Sequence, residues 1–147
     1  MPATEEELAK IEQLDPKDDL ETLLRRASRD EKPAVCAAAT ARLRSDPAFL
    51  ELMAAMLDSG YAEPALSFVR DAELTPAEKA RFARPALNAL GRWVNSAPAP
   101  NYTTADHFKR TRRWGDELFR ILPEKFAGTG VDFTELHGWY KEKMATE

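Results

Sequence analysis

The sequence predicts an all-α protein of seven or eight helices that stack antiparallel across short loops. Helix start signals recur along the 147 residues, and the apolar residues between them repeat at the three- and four-residue spacing of one helix face. No long stretch alternates apolar and polar residues of β-branched type, so no sheet is predicted. With 44% hydrophobic and 31% charged residues, the composition is typical of a globular chain with a real core.

Capping residues and prolines mark where the helices begin. Thr4 and Thr75 each stand three residues before a glutamate, which is the capping-box pattern, and Pro16, Pro47 and Pro76 fall in first turns. Gly60 ends a helix because glycine tolerates the left-handed turn. The predicted helices span residues 5–14, 17–28, 31–44, 47–58, 61–72, 76–95 with a bend near Pro85, 104–122, and a last one capped by Asp132 with Glu135 and ending near Met144.

The predicted domain organisation is a single domain, residues 1–147, with two parts. A helix stack covers residues 1–95, and a C-terminal helical pair covers residues 103–147. Pro98, Pro100 and the polar residues around them make residues 96–102 an extended linker, because proline and the residue before it both disfavour a helix.

Residues 20–44 carry a family resemblance. A leucine-rich helix, a short turn with Asp30 and an alanine-rich helix follow one another, and Pro33-Ala34-Val35 recurs as Pro64-Ala65-Leu66 and as Pro85-Ala86-Leu87. Over residues 17–95 this resembles a HEAT repeat. The resemblance implies an α-solenoid with a non-catalytic scaffold or adaptor role. Cys36 departs from the arginine that commonly follows the valine in that family, and residues 101–147 do not fit the repeat, so an irregular helical bundle stays as the alternative.

Several classes of protein are disfavoured. The single cysteine, Cys36, excludes an intramolecular disulfide and is best explained as a small buried residue. The acidic N-terminus lacks the apolar segment of a signal peptide, and no apolar run reaches the length of a membrane span, so we expect a cytoplasmic protein without a membrane partner.

Signals for catalysis are weak. His107 and His137 stand apart from any metal-ligand spacing, no phosphate-binding glycine loop or nucleophile motif occurs, and we expect no metal and no cofactor. The carboxylate clusters Glu5-Glu6-Glu7 and Asp18-Asp19 with Glu21 fall in first helical turns, where they complement the helix dipole. An enzyme with an unrecognised site is therefore the weakest hypothesis.

The charge distribution points to a partner. Residues 1–73 hold 9 Lys and Arg against 16 Asp and Glu, whereas residues 79–125 hold 10 against 4. A helix through this second region places Lys109, Arg110, Arg112 and Arg113 on the side opposite its apolar face, with Trp114 at the edge. These five residues are the predicted binding site for the acidic surface or peptide of another protein.

Two alternatives remain for this basic face. The cations are internally paired four residues apart, Arg112 with Asp116, Arg113 with Glu117 and Arg120 with Asp116, and the face is only solvated. Otherwise Lys79, Arg81, Arg84 and Arg92 join the face in one stripe over residues 79–125 and bind nucleic acid.

The last helix carries a second aromatic cluster. Trp139 and Tyr140 accompany Phe133, Leu136 and Met144 on an apolar stripe. This stripe either docks the C-terminus on the preceding helix or forms an exposed patch that pairs two copies of the protein.

Overall fold

The computed structural model describes residues 4–145, and within them the protein is entirely helical, with no strand. The all-α class with eight helices is thereby confirmed. The first and last residues of the predicted domain, 1–3 and 146–147, lie outside the described residues. The helices are α1 Glu5–Gln13, α2 Leu20–Arg26, α3 Pro33–Arg44, α4 Phe49–Leu57, α5 Glu63–Asp71, α6 Pro76–Ser96, α7 Ala105–Lys125 and α8 Thr134–Met144. None of them is both long enough and apolar enough to cross a membrane.

Both predicted capping boxes form. The Thr4 hydroxyl accepts the Glu7 backbone N–H at 3.1 Å, and the Thr75 hydroxyl accepts that of Glu78 at 3.1 Å. The Glu78 carboxylate accepts the Thr75 N–H at 3.0 Å in return, and it also accepts two hydrogen bonds from the Arg44 guanidinium, at 2.9 and 2.8 Å. These hydrogen bonds join the start of α6 to the end of α3. They also satisfy the Glu78 carboxylate, which is buried and would be costly to leave unpaired.

Several predicted boundaries are wrong. Helix α2 begins at Leu20 and α4 at Phe49, so Pro16 and Pro47 precede these helices and do not lie in their first turns. Helix α7 does not end at Leu122 but continues through Pro123 to Lys125. The Lys125 ammonium donates to the carbonyls of Val69, Arg70 and Ala72, each at 2.7 Å, so a contact between distant helices holds this last turn. The linker over residues 96–102 is also not wholly extended, because Pro100–Tyr102 forms one 3-10 turn.

The helices pack around α5, which contacts α2, α4, α6 and α7. On one side α3 packs against α1 and α2, and on the other α4 packs against α6. The C-terminal helices close the other end, with α7 against α5 and α8 against both α6 and α7. Buried side chains from Ile11 to Met144 form one core cluster. The resemblance to HEAT repeats and the division into stack and C-terminal pair stay predictions.

Aromatic rings join α7 to α8. Phe119 stacks against His137 at 4.7 Å and against Tyr140 at 4.8 Å between ring centroids. The Tyr140 hydroxyl lies 2.9 Å from the Arg112 carbonyl and 2.8 Å from Asp116 Oδ1, the two acceptors to which it can donate. Burial lowers the pKa of His137, which fits a structural ring better than a charged one.

Gly115 allows this approach, and its replacement is predicted to destabilise the fold. A Cβ at Gly115 would lie 2.5 Å from the Tyr140 ring, which is buried and anchored by its hydroxyl, so neither side has room to move. We expect Gly115→Ala to lower the free energy of unfolding by about 1–3 kcal/mol, the usual cost of overpacking. Denaturant unfolding followed by circular dichroism measures this change.

Gly138→Ala is the matched control, because it lies in the neighbouring helix with nothing within 4 Å of its added Cβ. The control should raise stability by up to about 1 kcal/mol through helix propensity alone. Equal effects of the two substitutions would show that the close contact of Gly115 with Tyr140 does not constrain the fold.

Candidate functional site

Helix α7 separates into a buried and an exposed side, as the sequence predicts. Gly115, Leu118, Phe119 and Leu122 are buried, whereas Lys109, Arg110, Arg112 and Arg113 are exposed. Phe108 is half-buried and packs against the core. We call Lys109, Arg110 and Arg113 the α7 ridge. Arg113 lies four residues after Lys109 and three after Arg110, so its side chain is a neighbour of both on the helix surface.

Only one of the three predicted internal pairs forms. Arg112 Nε lies 3.7 Å from Asp116 Oδ2. Glu117 does not pair with Arg113, because its carboxylate accepts a hydrogen bond from Arg29. Within residues 4–145 no salt bridge joins Asp116 to Arg120, and the Asp116 carboxylate is instead an acceptor for the Tyr140 hydroxyl. In the same residues, none of the three cations of the α7 ridge has a salt-bridge partner.

The Glu117 carboxylate pairs with charged side chains at the end of α5 and not with Arg113. Its Oε1 lies 3.7 Å from Arg70 Nε, and Arg70 in turn pairs with Asp71 at 2.7 Å. The Arg70 and Asp71 side chains are only 8% and 4% exposed, so these charges need partners. We call Arg29, Arg70, Asp71 and Glu117 the α5–α7 charge network. The hydrogen bond from Arg29 lowers the pKa of Glu117 and keeps its carboxylate ionised.

Trp114 lies on the flank of the ridge that faces this network. The Arg70 guanidinium lies over its indole ring, 4.8 Å from the centroid, and the ring is half-buried. Trp114 also lines a cleft of about 630 Å³ whose walls carry both charge signs, from Arg25 and Arg29 on one hand and Asp30 and Glu63 on the other. The sequence places Trp114 beside the basic face but gives no sign of Arg70, which is 44 positions away and shares no local pattern with it.

The other flank of the ridge is an apolar groove of about 610 Å³. Ala105 and Phe108 supply apolar surface there, and Lys109, Arg113 and the paired Arg112 and Asp116 contribute to its lining. The half-buried position of Phe108 leaves part of its ring available beside the cations.

The other cations of residues 79–125 do not all join the ridge. Arg81 forms a two-pronged pair with Glu51, with both distances 2.9 Å. Arg92 donates to the backbone carbonyls of Leu57 and Ser59, at the end of α4. Lys125 is occupied by three carbonyls, and burial lowers its pKa. With Arg112, which pairs with Asp116, four of the ten cations thus have internal partners.

The histidines are not brought into a common site with carboxylates. His107 is exposed in the first turn of α7, and His137 stacks on Phe119. Across residues 4–145 no three His, Cys, Asp or Glu side chains are grouped so that they could hold a metal ion. Comparison of the chain with models of protein families, with curated proteins and with solved structures finds no match.

The α5–α7 charge network is predicted to stabilise the protein in a pH-dependent way. Replacing Glu117 with Gln leaves Arg29 and Arg70 with one carboxylate fewer. We expect a loss of about 1–2 kcal/mol at neutral pH, since hydrogen bonds to charged groups are strong but Arg29 is half-exposed and screened. Chemical denaturation of both proteins across a pH series measures this difference.

The sign follows from the lowered pKa of Glu117 in the folded state. Its contribution is complete above the ordinary glutamate pKa of about 4.3 and disappears as pH falls through the lower folded value. The difference between the two proteins should therefore shrink on acidification. Glu124→Gln, at an exposed position of the same helix, should change stability little at any pH. A gap between wild type and Glu117→Gln that widens in acid would contradict the assignment.

Proposed function

We propose that the protein is a non-catalytic binding module, an adaptor or scaffold that holds an acidic segment of another protein along the α7 ridge. The observation that carries this proposal is the engagement of Glu117 with Arg29 and Arg70. Because that carboxylate is directed inward, Arg113 lacks its predicted partner. Together with Lys109 and Arg110 it presents positive charge that the described residues do not neutralise by a salt bridge. We expect the module to work in the cytoplasm.

Charge alone would make a weak site. An exposed ion pair contributes only about 0–1 kcal/mol, so three of them give modest affinity that salt reduces. The groove lined by Ala105 and Phe108 adds the apolar component, because burying an apolar side chain there contributes about 1.5–3 kcal/mol. The preferred partner is therefore an acidic segment with at least one large apolar side chain, which enters the groove while its carboxylates meet the ridge.

The net charge of the chain also favours a selective site. At −4 overall the protein repels most polyanions at a distance, and attraction is confined to the ridge. Nucleic acid is the rival ligand. It is less well supported than an acidic peptide, because Arg81, Arg92 and Lys125 have internal partners and do not extend the stripe.

Fluorescence anisotropy with labelled synthetic peptides tests the proposal. The probes are an acidic peptide with one central Leu, the same peptide with Ser in place of Leu, and single- and double-stranded oligonucleotides. We expect the Leu peptide to bind most tightly, with affinity that falls as salt rises. The triple variant Lys109→Glu, Arg110→Glu, Arg113→Glu should weaken that binding at least about tenfold, equivalent to about 1.4 kcal/mol.

A matched control reverses three exposed lysines elsewhere, Lys10, Lys17 and Lys141, and so changes the net charge equally. It should retain peptide binding. Arg112→Ala should have a smaller effect than loss of the ridge, because Arg112 already has Asp116 as a partner. Equal losses in the triple variant and the control would refute the ridge as the binding site. Tighter binding of the oligonucleotides than of the Leu peptide would favour the rival function.

A further inference from the structure

A groove between α6 and α8 lies outside the site described above. It has a volume of about 540 Å³, and Leu87, Gly91 and Leu136 provide its apolar lining. Helix α6 presents only a hydrogen at Gly91, and a Cβ there would reach 3.9 Å from the Leu136 methyl groups. The absence of a side chain at Gly91 therefore keeps this groove open between the two helices.

The most exposed tryptophan side chain in the described residues lies at the same groove. Trp139 is 62% exposed, one turn beyond Glu135 on α8, whereas its neighbour Tyr140 is 2% exposed. Phe133, Tyr140 and Met144 of the C-terminal aromatic cluster are core, whereas Trp139 is exposed. One patch thus carries an apolar projection and an apolar recess side by side.

The two ends of the groove also differ in charge. Leu136 faces Gly91, and further along α8 Lys143 donates to the carbonyls of Val94 and Asn95 at 2.7 and 2.9 Å, so the two helices advance in the same direction. The acidic residues Asp132 and Glu135 therefore precede Leu136 at one end of the groove, and Trp139 follows it at the other. Arg92 lines the α6 wall one residue beyond Gly91. It donates to the carbonyls of Leu57 and Ser59, but these neutral acceptors leave its positive charge uncompensated.

We propose that this face binds a second copy of the same chain about a two-fold axis. In a two-fold interface the same patch serves both partners, so it must contain its own complement. Here it does: Trp139 of each copy enters the groove of the other. An antiparallel alignment places the acidic end of one groove, with Glu135, over the Arg92 end of the other. This pairing goes beyond the proposed peptide binding and uses a different face from the α7 ridge.

Sedimentation velocity and light scattering over a wide range of protein concentration test the pairing. We expect a monomer–dimer equilibrium in the wild type and a dissociation constant at least about tenfold larger in Trp139→Ala, since buried tryptophans dominate interface energies. Tyr102→Ala is the matched control, because Tyr102 is 83% exposed and lies away from the groove lining. It should leave the equilibrium unchanged.

A second pair of variants tests the recess rather than the projection. Gly91→Leu should fill the groove and weaken pairing as strongly as Trp139→Ala, while Gly91→Ala adds a methyl group at ordinary contact distance and should have less effect. Both substitutions favour the helix over glycine, so loss of pairing would not reflect loss of the fold. Circular dichroism checks this.

Charge exchange tests the alignment. Glu135→Arg and Arg92→Glu should each weaken self-association, and mixing the two variants should restore a mixed dimer. Because Arg92→Glu also loses the hydrogen bonds to Leu57 and Ser59, circular dichroism first checks that this variant is folded. Wild type that remains monomeric at the highest concentration, or a dimer that survives both Trp139→Ala and Gly91→Leu, would overturn the proposal. A dimer that is lost in these variants but not restored by mixing would overturn the antiparallel alignment.

Discussion

The packing of the helices depends most on the ion pairs at the end of α5. Arg70 and Asp71 are almost wholly buried there, and buried charges are tolerated only with well-placed partners. Glu117 from α7 and Arg29 from the turn after α2 complete the group, while Lys125 satisfies the free carbonyls of the last turn of α5. Two separate parts of the chain, the turn after α2 and helix α7, are thus fixed in position relative to α5.

This constraint sets the rotation of α7 about its own axis. With Glu117 and Lys125 both directed at α5, and Gly115 against Tyr140 of α8, two flanks of the helix are occupied. The remaining side, with Lys109, Arg110 and Arg113, must then face solvent. The packing of α7 against α5 and α8 therefore leaves the basic side in solvent. The same packing directs the Glu117 carboxylate toward α5 and away from Arg113. The proposed function rests on that coincidence.

The sequence predicted most of the local structure because local signals control it. Capping boxes at Thr4 and Thr75, proline in first turns and the apolar periodicity of α7 each act within a few residues. Local signals failed where a distant partner intervened. Helix α7 continues past Leu122 with Lys125 on the carbonyls of α5, and Glu117 prefers Arg29 to the nearer Arg113.

The sequence by itself determined that the chain is helical, where its helices begin and which residues of α7 are charged on one side. Those properties depend on spacing along the chain, so they can be read without knowing what packs where. Only the tertiary structure decided which charges neutralise one another, and that of two adjacent aromatic residues Tyr140 is core and Trp139 is surface. Such choices depend on which helix faces are covered, and contacts between residues far apart in sequence decide that coverage.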